Sequence, residues 1–371
     1  MSDKIYDVIL IGGGLAGLSL SILLAQKKYS ILVIEKKNYP YHKVCGEYIS
    51  MESWDFICRL GIPLASLNLP IIKHFEMSSR SGKSLQEELD LGGFGISRFS
   101  LDKLLADKAK SLGVEILERT TCTRYERKDE LFHVITNKGS FTSKIVSASF
   151  GRHAFGNFNK ASPMAENWVG IKYHIQYPFP EDKIALHTFK QGYCGISKVD
   201  QNRYCLCYLV KASLLNQYGN DIKKMEEHEL CQNPLLKAVF SEATFLYEKP
   251  LTISNITFEA KRPVVDQVFY VGDSAGAIAP LTGNGMSNAM RSANLLGQQL
   301  DLFLSNKISR HELELNYEKM WNKLFKRRIL SGKLIQYFFC NPKLTPMFIQ
   351  LMSMSKWLRK FIIKQTHGDK F

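Results

Sequence analysis

The segment Gly12-Gly13-Gly14-Leu15-Ala16-Gly17 constrains this chain more than any other. It fits GxGxxG and follows the apolar run Tyr6–Ile11 (YDVILI). Such a run suits a parallel strand buried on both faces. Leu18–Gln26 has a helical pattern, and Ile31–Ile34 (ILVI) supplies a second strand, closed by Glu35 18 residues after Gly17. Each glycine has a steric task. Gly12 permits the tight turn, Gly14 lets a pyrophosphate approach the backbone, and Gly17 lets helix and strand pack closely. The helix start offers free N–H groups and a positive dipole end to phosphates. Glu35 can accept hydrogen bonds from ribose hydroxyls, which favours an unphosphorylated ribose, FAD or NAD rather than NADP. The uncharged stretch Val8–Ala25 has the length of a membrane span, but its consecutive glycines argue for strand, turn and buried helix instead.

A second glycine-rich block lies far along the chain. Phe269–Val271 reads as a strand running into Gly272-Asp273-Ser274-Ala275-Gly276 and Pro280-Leu281-Thr282-Gly283-Asn284-Gly285-Met286. A helix is expected over Ser287–Leu300. An acid at a strand end can take a ribityl hydroxyl. A glycine-rich helix start can face the flavin pyrimidine ring, where negative charge develops on reduction.

Through three blocks the chain resembles the FAD-dependent oxidoreductases of the p-hydroxybenzoate hydroxylase structural group. They are GGGLAG with Glu35, Ser97-Arg98-Phe99-Ser100-Leu101-Asp102, and GDSAG…PLTGNG, and the likeness covers most of residues 1–300. It implies FAD held by Gly12, Gly14, Leu15, Ala16, Gly17, Glu35, Lys36, Lys43, Cys45, Gly46, Arg98, Cys122, Gly151, Gly272, Asp273, Pro280, Gly283, Asn284, Gly285 and Met286. Arg98 has a plainer alternative, a surface ion pair with Asp102.

Pro40–Ser50 (PYHKVCGEYIS) looks like the CG-containing segment of the geranylgeranyl reductase branch, which passes close to the flavin. By that likeness reduced FAD would deliver hydride to a double bond, and Cys45 or a water would supply the proton. Two features depart from the pattern. Gly192–Lys198 keeps the tyrosine of the branch's YxWxFP signature but not its Trp, Phe and Pro. Ile145–Gly151 (IVSASFG) lacks the Asp-Gly of many hydroxylases, so electrons are expected from a carrier or from transiently bound NAD(P)H. The rival reactions are flavin-dependent hydroxylation of an aromatic or polyketide substrate, and a non-enzymatic flavoprotein at a membrane surface.

The expected fold class is α/β, α+β overall. A Rossmann-like FAD-binding domain of the GR2 type (1–75, 98–160, 260–305) would interweave with an antiparallel-sheet substrate domain (76–97, 165–258). C-terminal helices would follow (306–371). Glu115–Leu117, Arg119–Tyr125 and Phe132–Thr136 read as extended, and Leu101–Leu112 and Leu214–Val239 as helical. Val169–Ile175 and Tyr204–Leu209 alternate as strands. Tyr193, Tyr204 and Tyr208 are candidates for lining an apolar substrate pocket, with sheet packing as the alternative. The eight cysteines form no CxxC and the nine histidines no ligand cluster, so no metal is expected.

Charge is unevenly spread. The net charge is +14, and residues 321–371 hold eleven basic residues against one acid, Asp369. Met347, Leu351, Met354, Leu358 and Phe361 recur at helical spacing beside Trp357 and the Lys356/Arg359/Lys360 group. Such a helix either docks on the protein with a wet basic face or lies on an anionic membrane. Nucleic acid is not an expected partner, because no binding fold accompanies the charge. With no signal-peptide pattern in MSDKIYD, a cytoplasmic place is expected, peripheral to the inner membrane face if the helix binds lipid.

Overall fold

A computed structural model describes residues 4–152, 166–256, 261–341, 344–366 (363–366 by backbone alone) and 368–371. The expected boundaries at 160, 165, 258 and 260 lie outside these residues, as do Lys343 and the side chain of Lys364.

The first of two sheets has eight strands. Its centre is Ile5–Ile11, which pairs in parallel with Ile31–Ile34 on one side and Gly139–Ala148 on the other, so that Val8 faces both Ile31 and Ile145. Glu115–Leu117 extends the parallel edge beyond Ile31–Ile34, and Val268–Tyr270 pairs with the end of Gly139–Ala148. An antiparallel ribbon, Cys122–Lys128 and Leu131–Thr136, feeds into that same strand. Residues 8–11 and 31–34 are all buried, as a parallel strand covered on both faces requires.

Helix Leu15–Gln26 packs against helices Arg98–Ser111 and Gly285–Leu304. Its apolar residues run all round it, so it has no wet face and sits in the core. It begins three residues before the expected Leu18, because Gly14 adopts the extended N-cap conformation.

The second sheet has nine strands. Trp168–Gln176, Arg203–Lys211, Gly192–Val199 and Lys183–Phe189 are successive antiparallel neighbours. Ile71–Ser78 then joins in parallel, followed by Ser84–Gly95 and Tyr48–Ser50. Residues 48–50 and 71–75 therefore pair in the second sheet, not in the first.

Two helical readings are corrected. Leu214–Val239 is not one helix but parts of Ala212–Gln217, Ile222–Glu229 and Pro234–Glu242. Gly219 and Asn220 both take positive φ (65°), which ends the first helix, and Asp221 caps the second. Asn233 caps the third, whose first residue is Pro234. The C-terminal stripe is likewise divided. Arg310–Cys340 starts with a Ser309/Glu312 capping box, and Thr345–Met354 and Lys356–Thr366 follow, separated by an extended Ser355. The expected extended run from Arg119 becomes a strand only at Cys122, since Arg119 itself has φ 52°. No helix among the described residues is long and apolar enough to cross a membrane.

Buried His187 on the second sheet belongs to a paired polar set. His187 Nδ1 lies 2.8 Å from Ser78 Oγ, which accepts from Asn233 at 2.9 Å. Burial pushes the His187 imidazole down to about 4. The folded chain thus leaves it uncharged between about 4 and 6.5, where the unfolded chain binds a proton. Stability from this group is present above that window and is lost as pH falls through it, by about 2 kcal/mol between pH 7 and 5. Equilibrium urea unfolding at the two pH values should show His187→Gln losing about that much less than the parent. An identical pH dependence in both would exclude His187 as the source.

Candidate functional site

The turn after the first strand is built by contact. Gly12 has φ +110°, and a Cβ there would meet the Ser149 carbonyl oxygen at 2.5 Å. A Cβ on Gly17 would meet the Gly12 carbonyl oxygen at 2.1 Å, so helix and strand approach to a distance only glycine allows. Gly14 differs: a Cβ there meets only the ends of Lys43 and Arg98, at 3.8 and 4.0 Å. Gly14 therefore faces open space edged by two cations. As N-cap it contributes no side-chain hydrogen bond, so the first N–H groups of the helix have no side-chain cap over them. Glu35 sits beside this turn, accepting from Gly13 N at 2.8 Å and Lys37 N at 2.9 Å. The Tyr39 hydroxyl donates to the Gly13 carbonyl.

Arg98 lies in the first turn of its helix and grips Asp102 through two bonds of 2.8 Å, from Nε and Nη2. Lys43 joins the same carboxylate at 2.9 Å. The ion pair foreseen as a surface alternative thus exists, but Asp102 is fully buried and Arg98 lines the cavity. Burial pushes the Asp102 carboxyl up, yet Arg98 and Lys43 outweigh it and hold it below the usual carboxylate range. The outcome is a fixed positive rim next to Gly14.

The CGE segment crosses from one sheet to the other. Glu47 is fully buried with φ 56°. Its carboxylate accepts from the Arg98 backbone N–H at 2.7 Å, Lys172 Nζ at 2.5 Å and His174 Nε2 at 2.6 Å. Burial raises its pKa, but the His174 hydrogen bond and the Lys172 charge outweigh that and keep the carboxyl below its ordinary range. His174 Nδ1 then accepts from the Tyr247 hydroxyl at 2.8 Å, which lies 3.1 Å from His42 Nε2. Cys205 donates to the Cys45 carbonyl at 3.2 Å, and Lys172 to the Lys43 carbonyl at 3.2 Å. Glu47, His174 and Cys205 have metal-ligating atoms within 4.8 Å of one another. Their charge is already balanced by Lys172, and Glu47 bonds His174 directly.

One cavity of about 850 Å³ joins these parts. Its wall includes Gly12, Gly14, Leu15, Ala16, Glu35, Lys36, Lys43, Cys45, Gly46, Arg98, Cys122 and Gly151. Gly272, Asp273, Pro280, Gly283, Gly285 and Met286 complete the far side, at the start of helix Gly285–Leu304. Asp273 is held by Arg152 Nε at 2.8 Å. Cys122 contributes an inert wall, since burial pushes its thiol up to about 12. Beyond the polar rim the wall is apolar, with Met77, Leu89, Ile184, Leu186, Ile253, Phe339 and Met352. Tyr193 joins it, its ring 6.0 Å from that of Phe339.

Other expected residues sit elsewhere. Tyr204 is not in the wall: its hydroxyl donates to the Phe179 carbonyl and its ring packs in the core behind the sheet. Tyr208 touches the wall, but its hydroxyl donates to Glu226 at 2.5 Å on the core side. Strand alternation explains this, because Tyr204 and Tyr208 share a face opposite Cys205 and Cys207. Gly17 and Asn284 are buried in packing outside the wall. Glu47, Lys172, His174, His42 and Tyr247 were not singled out from sequence. Two basic residues alternating in the apolar strand VGIKYHI were the available signal for Lys172 and His174.

These residues fit FAD: an uncapped helix start, a glycine that opens onto two cations, a buried acid beside it and a glycine-rich second helix start. Residues 5–150 match the family described as FAD binding domain. They are an FAD-binding domain. A digeranylgeranylglycerophospholipid reductase of Methanococcus vannielii is 25% identical over 333 residues, 86% of this chain and 83% of that protein. Conditioned medium factor receptor 1 of Dictyostelium discoideum is 23% identical over 357 residues, 87% of this chain and 68% of that protein. Among solved structures, the flavin-dependent brominase Bmp2 superposes with TM-score 0.79 at 18% identity, covering 98% of this chain and 93% of its own. A geranylgeranyl bacteriochlorophyll reductase-like protein from Thermoplasma acidophilum gives 0.78 at 18%, covering 99% and 97%. The chain joins an FAD-binding domain to the fold of FAD-dependent oxidoreductases.

The glycines separate folding from binding. Gly17→Ala should lower the melting temperature of the apoprotein, because its Cβ overlaps backbone. Gly14→Val should leave apoprotein melting nearly unchanged but abolish FAD retention, read as loss of the flavin absorbance after gel filtration. Full FAD retention by Gly14→Val would remove the phosphate-cradle assignment.

Proposed function

We propose that the protein uses FAD to reduce a carbon–carbon double bond in a hydrophobic, prenyl-like small molecule. The observation that carries this reading is the single cavity, whose wall includes the dinucleotide cradle, Cys45 and a long apolar surface. When bound, FAD supplies the electron pair. Lys43 and Arg98 hold its anionic groups, and Glu35 orients a ribose. The start of helix Gly285–Leu304, in the cavity wall, would offer its positive dipole end to the negative charge of a reduced cofactor. The apolar wall excludes water and positions a chain with few polar handles. Cys45 gives the proton; its Sγ accepts from the Glu47 N–H at 3.5 Å, which places the thiol within the segment that Glu47 anchors. The 25% identity to a digeranylgeranylglycerophospholipid reductase, spread over most of both chains, supports this choice among reactions of the fold. Electrons enter from NAD(P)H or from a protein carrier.

The test is anaerobic. The FAD-loaded protein is reduced with dithionite and mixed with a polyprenyl lipid, and the product is weighed by mass spectrometry. A gain of two hydrogens per double bond is expected, and Cys45→Ala should slow it at least about tenfold with FAD retention unchanged. Products carrying an added oxygen atom, formed only when air is admitted, would establish a monooxygenase instead. Unchanged turnover of Cys45→Ala would remove Cys45 from proton transfer.

A further inference from the structure

Three consecutive helices close the apolar end of the cavity, and all three carry apolar residues on both faces. Their inner residues belong to the cavity wall: Ile335 and Phe339, Phe348 and Met352, and Ile362. Their outer residues are bare. On Arg310–Cys340, Leu330, Leu334 and Tyr337 are each about 60% exposed. On Thr345–Met354, Met347, Leu351 and Met354 are each more than half exposed, and on the last helix Trp357 reaches 73%. Phe361 stacks on Trp357 with centroids 5.4 Å apart. Spacings of three and four residues put each set on one helix face. The three helices contact one another and together roof the cavity, each with an exposed apolar side. Eight of the thirteen large apolar side chains described as exposed lie here. A soluble protein rarely leaves such a patch bare unless something covers it.

The roof is fixed rather than loose. Arg359 Nε donates to Glu87 at 2.5 Å and Lys360 Nζ to Asp90 at 2.8 Å, both on strand Ser84–Gly95. The helices therefore dock on the protein through their inner side and still present an apolar outer side. Sequence treats those two readings as alternatives, but opposite helix faces let both hold. Charge identifies the occupant. Lys326 and Arg327 continue the Leu330–Leu334 face by one turn, Lys356 precedes Trp357, and Lys323 lies one turn further back. All four are exposed, and none forms an ion pair among the described residues. Bare Leu, Met, Trp and Phe bordered by unneutralised Lys and Arg match the interface of an anionic bilayer, with rings at headgroup depth and cations among the phosphates. A protein partner would need one shaped apolar surface matched to three helices. A fluid leaflet needs none.

We propose that the outer faces of residues 326–340 and 345–361 seat this protein on an anionic membrane leaflet, so that a lipid substrate passes between these helices into the cavity without crossing water. The docking stands on the surface alone. The passage of substrate rests on the function proposed above.

The test uses the full-length, FAD-loaded protein and flotation with vesicles of phosphatidylcholine, with or without one quarter phosphatidylglycerol. Binding is expected to the anionic vesicles and to be at least tenfold weaker to the neutral ones. Leu330→Ser/Leu334→Ser/Trp357→Ser should weaken it at least tenfold, as should Lys326→Glu/Arg327→Glu. These side chains are exposed, so flavin content and melting should not change. Equal flotation of parent and both variants would overturn the proposal. So would a solution dimer, seen by light scattering, that the triple variant converts to monomer. A separate arm compares reduction of a polyprenyl lipid in vesicles with reduction in detergent. Anionic vesicle binding without reduction in either would sink the proposed reaction and leave docking intact. Reduction in detergent without vesicle binding would do the reverse.

Discussion

The buried Glu47 carboxylate is the constraint on which the site depends. It belongs to the segment that follows the first parallel strands, yet two of its partners, Lys172 and His174, are on the second sheet. Its third partner is the backbone N–H that opens the helix of Arg98. A carboxylate out of water is tolerated only when its lone pairs are satisfied, and here cation, imidazole and helix start do so together. Removing one partner of such a set typically costs about 3–5 kcal/mol, because the other charge is left buried and alone. That junction fixes residues 43–47 between the second sheet and the helix Arg98–Ser111. Lys43, Cys45 and Gly46 reach the cavity wall from a backbone that is pinned on either side.

Positive charge serves two purposes in this molecule, and burial separates them. Around Gly14 the cations are few, enclosed and partly balanced: Lys43 and Arg98 share Asp102 and still edge the open cradle. At the C-terminal helices they are many and exposed. Residues 321–371 carry +10 of the net charge of +14, and Lys323, Lys326, Arg327, Lys356, Lys360 and Lys370 among them are exposed. A buried pair keeps its geometry and acts on one ligand, whereas exposed charges act together on an extended anionic surface and are screened by salt.

Much of the FAD half was legible because its information is local. GxGxxG, the flanking apolar runs and Glu35 lie within 30 residues, and the steric reasons for Gly12 and Gly17 are repeated in their backbone contacts. The second block, GDSAG with PLTGNG, was readable for the same reason. Boundaries were less so. Leu214–Val239 reads as helical, but Gly219, Asn220 and Pro234 divide it into three helices, and turn chemistry outweighs apolar periodicity at the breaks. For Tyr204 the sequence left pocket lining and sheet packing open, and strand alternation decides for packing by putting it on the opposite face from Cys205.

By itself, the sequence determined the strand–turn–helix cradle, the acid at the end of the second strand, the second helix start and the basic, apolar C-terminus. These follow from steric and charge rules acting over a few residues. Only the tertiary structure decided that Lys172 and His174 meet Glu47 more than 120 residues away, that Arg98 pairs with Asp102 inside the protein rather than on its surface, and that three helices roof the cavity with apolar residues on both sides. Those outcomes depend on which strands become neighbours in the second sheet. Non-local pairing is set by the sum of many weak contacts, and no single spacing along the chain records it.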